Sequence, residues 1–414
     1  MRFGKRLDVP LAAVVGVLTL YGLAILYSAG QTDVPTAAAH LWTRQLIWLV
    51  MALVGAILVM RVSPRLLEWA APACYVAGLL VLLVTLAVGT GGGTAASSRS
   101  WITVGGVRLG QPSELVKLTV ILMLARYLAA RRDPPGTLRE LVLPCLIAAV
   151  PAGLVVLQPD LGSAIVFAGI LFVMLYWAGV RLPLLVLLAS PIASLFLAFS
   201  AWTWAAWMLV LCFLLLLWRP YVWESMAVLG GNLLMGIIAL PLWRHLAPYQ
   251  QHRFISFLNP KVDPRATGWH IIQSKIAIGS GGWLGKGYTA GSQKRLAFLP
   301  AQPTDFIFSV VGEELGFVGV IVALWLFFAL LAILIRAARR SPDPFGGLVA
   351  FGVAGLFFTH IFENIGMTAN VMPITGIPLP FFSYGGSFLL ACLLAIGLAM
   401  RVAQEGRELG YHEL

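Results

Sequence analysis

Residues 257 to 319 hold the densest chemistry in the 414-residue sequence: FLNPKVDPRATGWHIIQSKIAIGSGGWLGKGYTAGSQKRLAFLPAQPTDFIFSVVGEELGFVG. Gly279, Gly281, Gly282, Gly285 and Gly287 give a flexible backbone beside Lys275 and Lys286, with Lys294 and Arg295 close behind. Free backbone N–H groups flanked by cations suit a phosphate-bearing ligand, yet the spacing matches neither a P-loop nor a dinucleotide fingerprint. An anion cradle and a plain flexible loop both fit. Asp305 follows LPAQPT and precedes the apolar run Phe306-Ile307-Phe308. There its default role is to cap the next helix.

A second set of polar residues lies within apolar runs, where a charge costs on the order of 2.5 to 3.5 kcal/mol even on the mildest scale. Glu114 and Lys117 in QPSELVKLTV are three apart at a helix start, so they share one face and can neutralise each other. A structural ion pair, with Ser113 helping the N-terminus, and the lining of a site are both consistent with this. Asp160 in QPDLGSA is expected to cap the following helix. His360, Glu363 and Asn364 in THIFENIG repeat at helical spacing and are expected to face the bundle interior as interhelical polar contacts.

The elements that position these residues follow from composition. Sixty per cent of the residues are hydrophobic and 11% are charged, which excludes a water-soluble fold of this length and indicates an all-α polytopic integral membrane protein. Apolar runs near 11–28, 45–60, 68–88, 113–130, 141–157, 162–179, 182–199, 201–218, 225–243, 309–336, 345–366 and 386–403 predict about ten to twelve transmembrane helices. An N-terminus with Arg2, Lys5 and Arg6 inside also puts Arg61, Arg65, Arg126, Arg131, Arg132, Arg139, Arg181, Arg219, Arg336, Arg339, Arg340, Arg401 and Arg407 inside. Both termini are then cytoplasmic and residues 244–308 form a large extracytoplasmic loop. Part of the net charge of +11 is this topological signal, and part is a basic outer surface facing away from nucleic acid. The first apolar stretch is too long for a signal-peptide h-region and reads as an uncleaved span. Cys74, Cys145, Cys212 and Cys392 fall in spans without metal or redox spacing and read as packing residues.

Two segments should be membrane-embedded without crossing. IIQSKIAIGSGG is amphipathic and too short to span, which suggests an interfacial or re-entrant helix. In PITGIPLPFFSYGGS, Pro373, Pro378 and Pro380 interrupt any helix, while Gly376, Gly385 and Gly386 let the chain turn back. A re-entrant segment walling a groove is expected, with Phe381, Phe382 and Tyr384 against lipid tail or sugar and Ser383 and Ser387 available for hydrogen bonds.

The stretches SRSWITVGGVRLGQPSELVKL, QPDLGSA, QSKIAIGSGGWLGKG, FLPAQPTDFIFSVVGEELGFVG and NIGMTANVMPITGIPLPFFSYGGS together resemble the SEDS family of shape, elongation, division and sporulation proteins. The similarity runs over most of the chain in the family's order, and HIIQSKIAIGSGG and NIGM are more like its elongation branch than its division branch. The resemblance implies a single SEDS-type domain over residues 1–414 that polymerises lipid II on the outer face of the bacterial inner membrane. It also implies a class B penicillin-binding protein as partner. The family's essential aspartate maps onto Asp305, its tryptophan before the PSE helix onto Trp101, and its Glu and Lys in that helix onto Glu114 and Lys117. Three departures stand out: Trp269 replaces the usual Tyr, Gln302-Pro303 replaces a charged or His pair, and residues 182–222 read as a helical hairpin added to the family's ten spans.

On that resemblance, Asp305 would serve as general base for an acceptor-sugar hydroxyl. Lys275, Lys286, Arg295, Lys117 or a divalent cation would stabilise the leaving pyrophosphate, and Ser383 and Tyr384 would line the substrate groove. The alternatives are a lipid II flippase, which predicts essential charges near the midplane, the division-specific polymerase, and a non-catalytic scaffold. A secondary transporter would show repeats between its halves, and none is visible.

Overall fold

The computed structural model describes residues 8–33, 36, 38–91, 99–104, 107–246, 248–259, 267–299 and 301–408. Helices run α1 Val9–Ala29, α2 Leu41–Met60, α3 Pro64–Val88, α4 Pro112–Ala129, α5 Leu138–Leu157, α6 Leu161–Trp177, α7 Leu182–Leu197, α8 Ala201–Trp218 and α9 Val222–His245. They continue as α10 Pro248–Leu258, α11 Thr267–Ser280, α12 Ser292–Arg295, α13 Ile307–Arg339, α14 Pro344–Thr368 and α15 Gly386–Glu408. Each of the twelve apolar runs forms a helix. Among the described residues, nine helices are long and apolar enough to cross a membrane, and α6 and α7 are shorter apolar helices. The basic N-terminal residues Arg2, Lys5 and Arg6 lie outside the described residues.

Helix starts follow local chemistry. The Asp8 carboxylate accepts from Leu11 N at 3.1 Å, Asp160 from Ser163 N at 3.0 Å, and Asp343 from Gly346 N at 3.4 Å. Prolines sit in the first turns of α1, α3, α4 and α14, where the missing N–H costs nothing. One large apolar core joins α1, α4, α6, α13, α14 and α15, while α2, α8 and α9 turn large apolar side chains such as Ile47, Trp202, Leu216 and Ile237 outward. Outward apolar faces suit lipid as solvent.

Helices α7, α8 and α9 share a small core of their own, Leu187, Leu211, Leu215 and Val228. Asn232 of α9 stitches it: Nδ2 donates to Ser190 Oγ at 2.8 Å, Oδ1 accepts from Trp207 Nε1 at 3.1 Å, and its carbonyl accepts from Ser194 Oγ at 2.9 Å. The segment expected as a two-helix hairpin thus packs as a three-helix unit, because the polar positions of α7 and α8 both face α9.

At the end of the bundle that carries the long loops, a short antiparallel hairpin, β1 Ile102–Val104 and β2 Val107–Gly110, precedes α4. The segment between α14 and α15 is irregular, as its prolines require. Ile377, Leu379, Phe381 and Phe382 within it are core residues. It reaches Gly22, where an added Cβ would collide with the Phe381 carbonyl. Gly22 lies seven residues before the end of α1, so the segment descends about 10 Å into the bundle. Phe381 and Phe382 therefore do not face lipid or sugar. They pack on Phe357, Tyr21 and Phe327.

The glycine-rich stretch also differs from an open cradle. Helix α13 is broken at Gly316 (φ 62°, ψ −159°), which frees backbone groups near the break. Lys286 N donates to the Glu313 carbonyl and Gly287 N to the Glu314 carbonyl, both at 3.0 Å, and Phe317 N donates to the Gly282 carbonyl at 2.9 Å. Side chains at Gly281 or Gly285 would overlap the α13 backbone. These glycines permit close packing against a broken helix, and the amides of Gly281, Gly285, Lys286 and Gly287 are already taken. The four cysteines are free thiols: Cys392 is buried, Cys145 half-buried, and Cys74 and Cys212 exposed.

Candidate active site

Asp305 sits in a tight turn before α13. The amides of Thr304, Asp305 and Phe306 converge on the Ala301 carbonyl at 3.2, 3.0 and 3.3 Å. Phe306 occupies the N-cap position and no side chain caps the helix, so Asp305 does not play the capping role that is its default from sequence. Its half-buried carboxylate faces the re-entrant segment instead. A Cβ on Gly376 would lie 3.5 Å from Asp305 Oδ2 and 3.9 Å from Arg253 Nη2. Arg253 of α10 also donates from Nη1 to the Thr375 carbonyl at 3.3 Å, so carboxylate and guanidinium flank one glycine. Burial pushes the Asp305 carboxyl above its ordinary range; the Thr304 hydroxyl and the Arg253 charge oppose this, and Asp160 adds to it.

His270 of α11 belongs to the same surroundings. Its ring stacks on Phe306, the residue after Asp305, with centroids 5.8 Å apart. Burial, then the Arg253 charge, lower its pKa, so the imidazole is neutral at pH 7. Neither Arg253 nor His270 stands out in the sequence, where each is one of several basic or polar residues in a long loop. No local spacing distinguishes the cation that turns toward Asp305.

The expected pyrophosphate cations are placed differently. Lys286 Nζ donates to Glu313 Oε1 at 2.9 Å and to Ser292 Oγ at 2.6 Å. The Arg295 guanidinium is paired with Asp33 at 2.9 Å. Both are held by acidic partners because residues 286–299 are strapped to α1 and α13. Lys275 is exposed on α11.

Lys117 is 1% exposed and is enclosed in the bundle. Its ammonium donates to Glu114 Oε1 at 2.8 Å and to His360 Nε2 at 3.1 Å. An ammonium has no lone pair, so His360 Nε2 must accept, and its Nδ1–H then donates to the Pro378 carbonyl at 3.1 Å. The pair thus anchors a neutral histidine against the re-entrant segment. Glu363, 1% exposed, has no hydrogen bond of ordinary geometry at either carboxyl oxygen; Lys117, the Thr375 hydroxyl and Asp160 are its polar neighbours. Gln111 Nε2 links α4 to Asp160 Oδ2 at 2.6 Å.

The remaining expected substrate contacts also make bonds within the fold. Ser383 Oγ donates to the Thr304 carbonyl and accepts from Leu379 N at 2.8 Å, which commits its one proton to the fold. Tyr384 N donates to the Pro303 carbonyl at 2.8 Å, and its side chain is half-buried. Trp101 pairs through its backbone with Thr90 at the end of α3. Ser387 Oγ accepts from Gln111 N at 3.1 Å. Among the described residues no three His, Cys, Asp or Glu side chains group together. A carboxylate of raised basicity, a guanidinium and a neutral imidazole at the rim of a membrane bundle can deprotonate a hydroxyl and hold a phosphate oxygen.

The profile of the cell cycle protein family FtsW/RodA/SpoVE matches residues 8–207 and 203–408. The peptidoglycan glycosyltransferase RodA of Treponema pallidum is 36% identical over 93% of this chain and 94% of its own. The probable peptidoglycan glycosyltransferase FtsW of Trichlorobacter lovleyi is 34% identical over 96% and 93%. A solved chain from a peptidoglycan synthase complex that coordinates polymerization and crosslinking superposes with a TM-score of 0.69, at 33% identity over 96% of this chain and 98% of that one. With the motifs in family order and both halves of the sequence matched, this chain belongs to the FtsW/RodA/SpoVE family of SEDS proteins.

Proposed function

We propose that this protein is a peptidoglycan glycosyltransferase that polymerises lipid II at the outer face of the bacterial inner membrane, with Asp305 as general base. The observation that carries the reading is the placement of the Asp305 carboxylate. It does not cap α13, it is half-buried, and it shares Gly376 with the Arg253 guanidinium. The C4 hydroxyl of an acceptor GlcNAc attacks C1 of a MurNAc linked to lipid pyrophosphate. The C4–O–C1 bond forms with inversion, the C1–O bond to pyrophosphate breaks with its electron pair leaving on the phosphate, and the hydroxyl proton passes to Asp305. Burial that raises the basicity of Asp305 makes it a better proton acceptor for an alcohol. Arg253 is the cation best placed to meet the developing phosphate charge.

Cell-wall elongation is the branch favoured by HIIQSKIAIGSGG and NIGM. A penicillin-binding transpeptidase is the partner that the synthase-complex relative makes reasonable. The arginine-rich ends of the helices support a cytoplasmic placement for that side and for both termini. A flippase reading is weaker, because the buried charges of α4, α13 and α14 gather toward the loop end. Glu363 lies five residues before the end of α14 and Lys117 five residues after the start of α4, about 7 to 8 Å along each axis.

The test is glycan polymerisation from purified lipid II, comparing wild type with Asp305→Asn, each with a partner whose transpeptidase is blocked. Chains made by wild type and lost in the variant, with folding and partner binding intact, are expected. Equal polymerisation by both would remove Asp305 from the mechanism, and none by either would favour a flippase or scaffold.

A further inference from the structure

Three consecutive carbonyls of the Asp305 turn are each held from the same side. Pro303 O accepts from Tyr384 N at 2.8 Å, Thr304 O accepts from Ser383 Oγ, and Asp305 O accepts from Asn364 Nδ2 at 2.9 Å. All three donors come from the end of α14 and the re-entrant segment after it. Asn364 is the joint of this arrangement, because the same Nδ2 also donates to the Ile377 carbonyl at 2.7 Å. One fully buried amide thus ties the carboxylate-bearing turn to the residue next to Gly376, against which the carboxylate rests. Ser383 Oγ is fixed in turn by accepting from Leu379 N, which leaves its proton directed at the turn.

We propose that Asn364 and Ser383 are positioning residues for the glycosyl transfer: they set where the Asp305 carboxylate stands by clamping the backbone on either side of it to the re-entrant segment. The proposal rests on the reading of Asp305 as the base. Neither side chain needs to touch substrate. The α13 N-terminus and the Thr304 hydroxyl favour the Asp305 carboxylate, but neither fixes the backbone of the turn, whose own amides close on Ala301 O. Without the clamp, one main-chain bond, from Tyr384 N, joins the turn to the re-entrant segment, and Gln302 Nε2 holds only its start, to the Ala29 carbonyl at 2.9 Å, so the Asp305 end can relax toward water.

The consequence is kinetic, because a base displaced by about 1 Å costs on the order of a hundredfold in rate. Asn364→Ala and Ser383→Ala are compared with wild type and Asp305→Asn for lipid II polymerisation over a range of pH, with partner binding and thermal melting measured on the same samples. A fall of about ten- to a hundredfold in kcat is expected for each alanine variant, with KM changed by less than about threefold. The acid limb of the pH profile should also move to lower pH, because a carboxyl released to water returns toward its ordinary pKa of about 3.9. Ser383→Thr, which keeps the hydroxyl, should recover rate relative to Ser383→Ala. General loosening of the fold would lower the active fraction without moving the acid limb. Should Asn364→Ala fail to fold, Ser383→Ala carries the test alone. Wild-type kcat in the alanine variants, or a reduced kcat with an unmoved acid limb, overturns the inference while Asp305→Asn remains inactive. If Asp305→Asn itself polymerises, both the base assignment and the clamp fall together.

Discussion

Lys294 Nζ lies 2.7 Å from Glu314 Oε1, and both side chains are completely buried. Ser28 of α1 joins the pair, accepting from Lys294 Nζ at 3.0 Å and donating to Glu314 Oε2. This contact fastens the loop before Asp305 to α1 and α13. Lys294→Met strands a buried carboxylate and is expected to cost about 3 to 5 kcal/mol. One residue along, Arg295→Ala breaks a pair that is half exposed on both sides and should cost no more than about 1 kcal/mol. Melting of the two variants in detergent would show the contrast; equal effects would mean that Glu314 finds another donor.

Asp305 links activity and stability to pH in opposite senses. Burial raises its carboxyl in the folded state, so its stabilising contribution is complete below the unfolded pKa of about 3.9 and is lost as pH rises through the folded value. Asp305→Asn imitates the protonated form and should therefore melt at a higher temperature than wild type at neutral pH. The difference should shrink as pH falls toward 4. Wild-type polymerisation should fall on its acid side at a pH above that of an ordinary carboxylate. A variant that melts lower than wild type at pH 7 would contradict the desolvation argument.

Two glycines of α1 make a matched pair. A Cβ on Gly22 meets the Phe381 carbonyl, whereas one on Gly16 meets nothing within 4 Å. Gly22→Ala is expected to displace the re-entrant segment, lowering stability by about 1 to 3 kcal/mol and abolishing most polymerisation. Gly16→Ala should be neutral or stabilising by up to about 1 kcal/mol. Parallel melting and polymerisation assays of the two variants test this.

Glu363 and Lys117 are buried together but differ in their partners. Lys117→Met leaves Glu114 without its donor and should destabilise by about 3 to 5 kcal/mol. Glu363→Gln removes a carboxyl that has no hydrogen bond of ordinary geometry, so it should leave melting unchanged or raise it. A large loss of stability in Glu363→Gln would reveal a working hydrogen bond to the carboxyl from the Thr375 hydroxyl beside it.

Much of the fold was legible in the sequence because membrane insertion is read locally. A run of about 20 apolar residues declares a span wherever it occurs, and all twelve runs form helices. Capping by Asp160 and the break imposed by Pro373, Pro378 and Pro380 were equally local, since each depends on neighbours a few residues away. Asp305 could be singled out through its motif. Its role could not be separated from a cap until the structure showed Phe306 at that position. What tertiary structure decided was which remote groups meet. Arg253 reaches the site from α10, Asn364 meets the Asp305 carbonyl across 59 residues, and Lys117 meets His360 across 243. Residue types left an anion cradle and a plain flexible loop both open, whereas in the fold the broken helix at Gly316 claims amides of the glycine-rich stretch, and Glu313 and Asp33 pair with Lys286 and Arg295. Hydropathy and turn chemistry act along the chain, whereas the choice among chemically equivalent cations and hydroxyls is settled by packing in three dimensions.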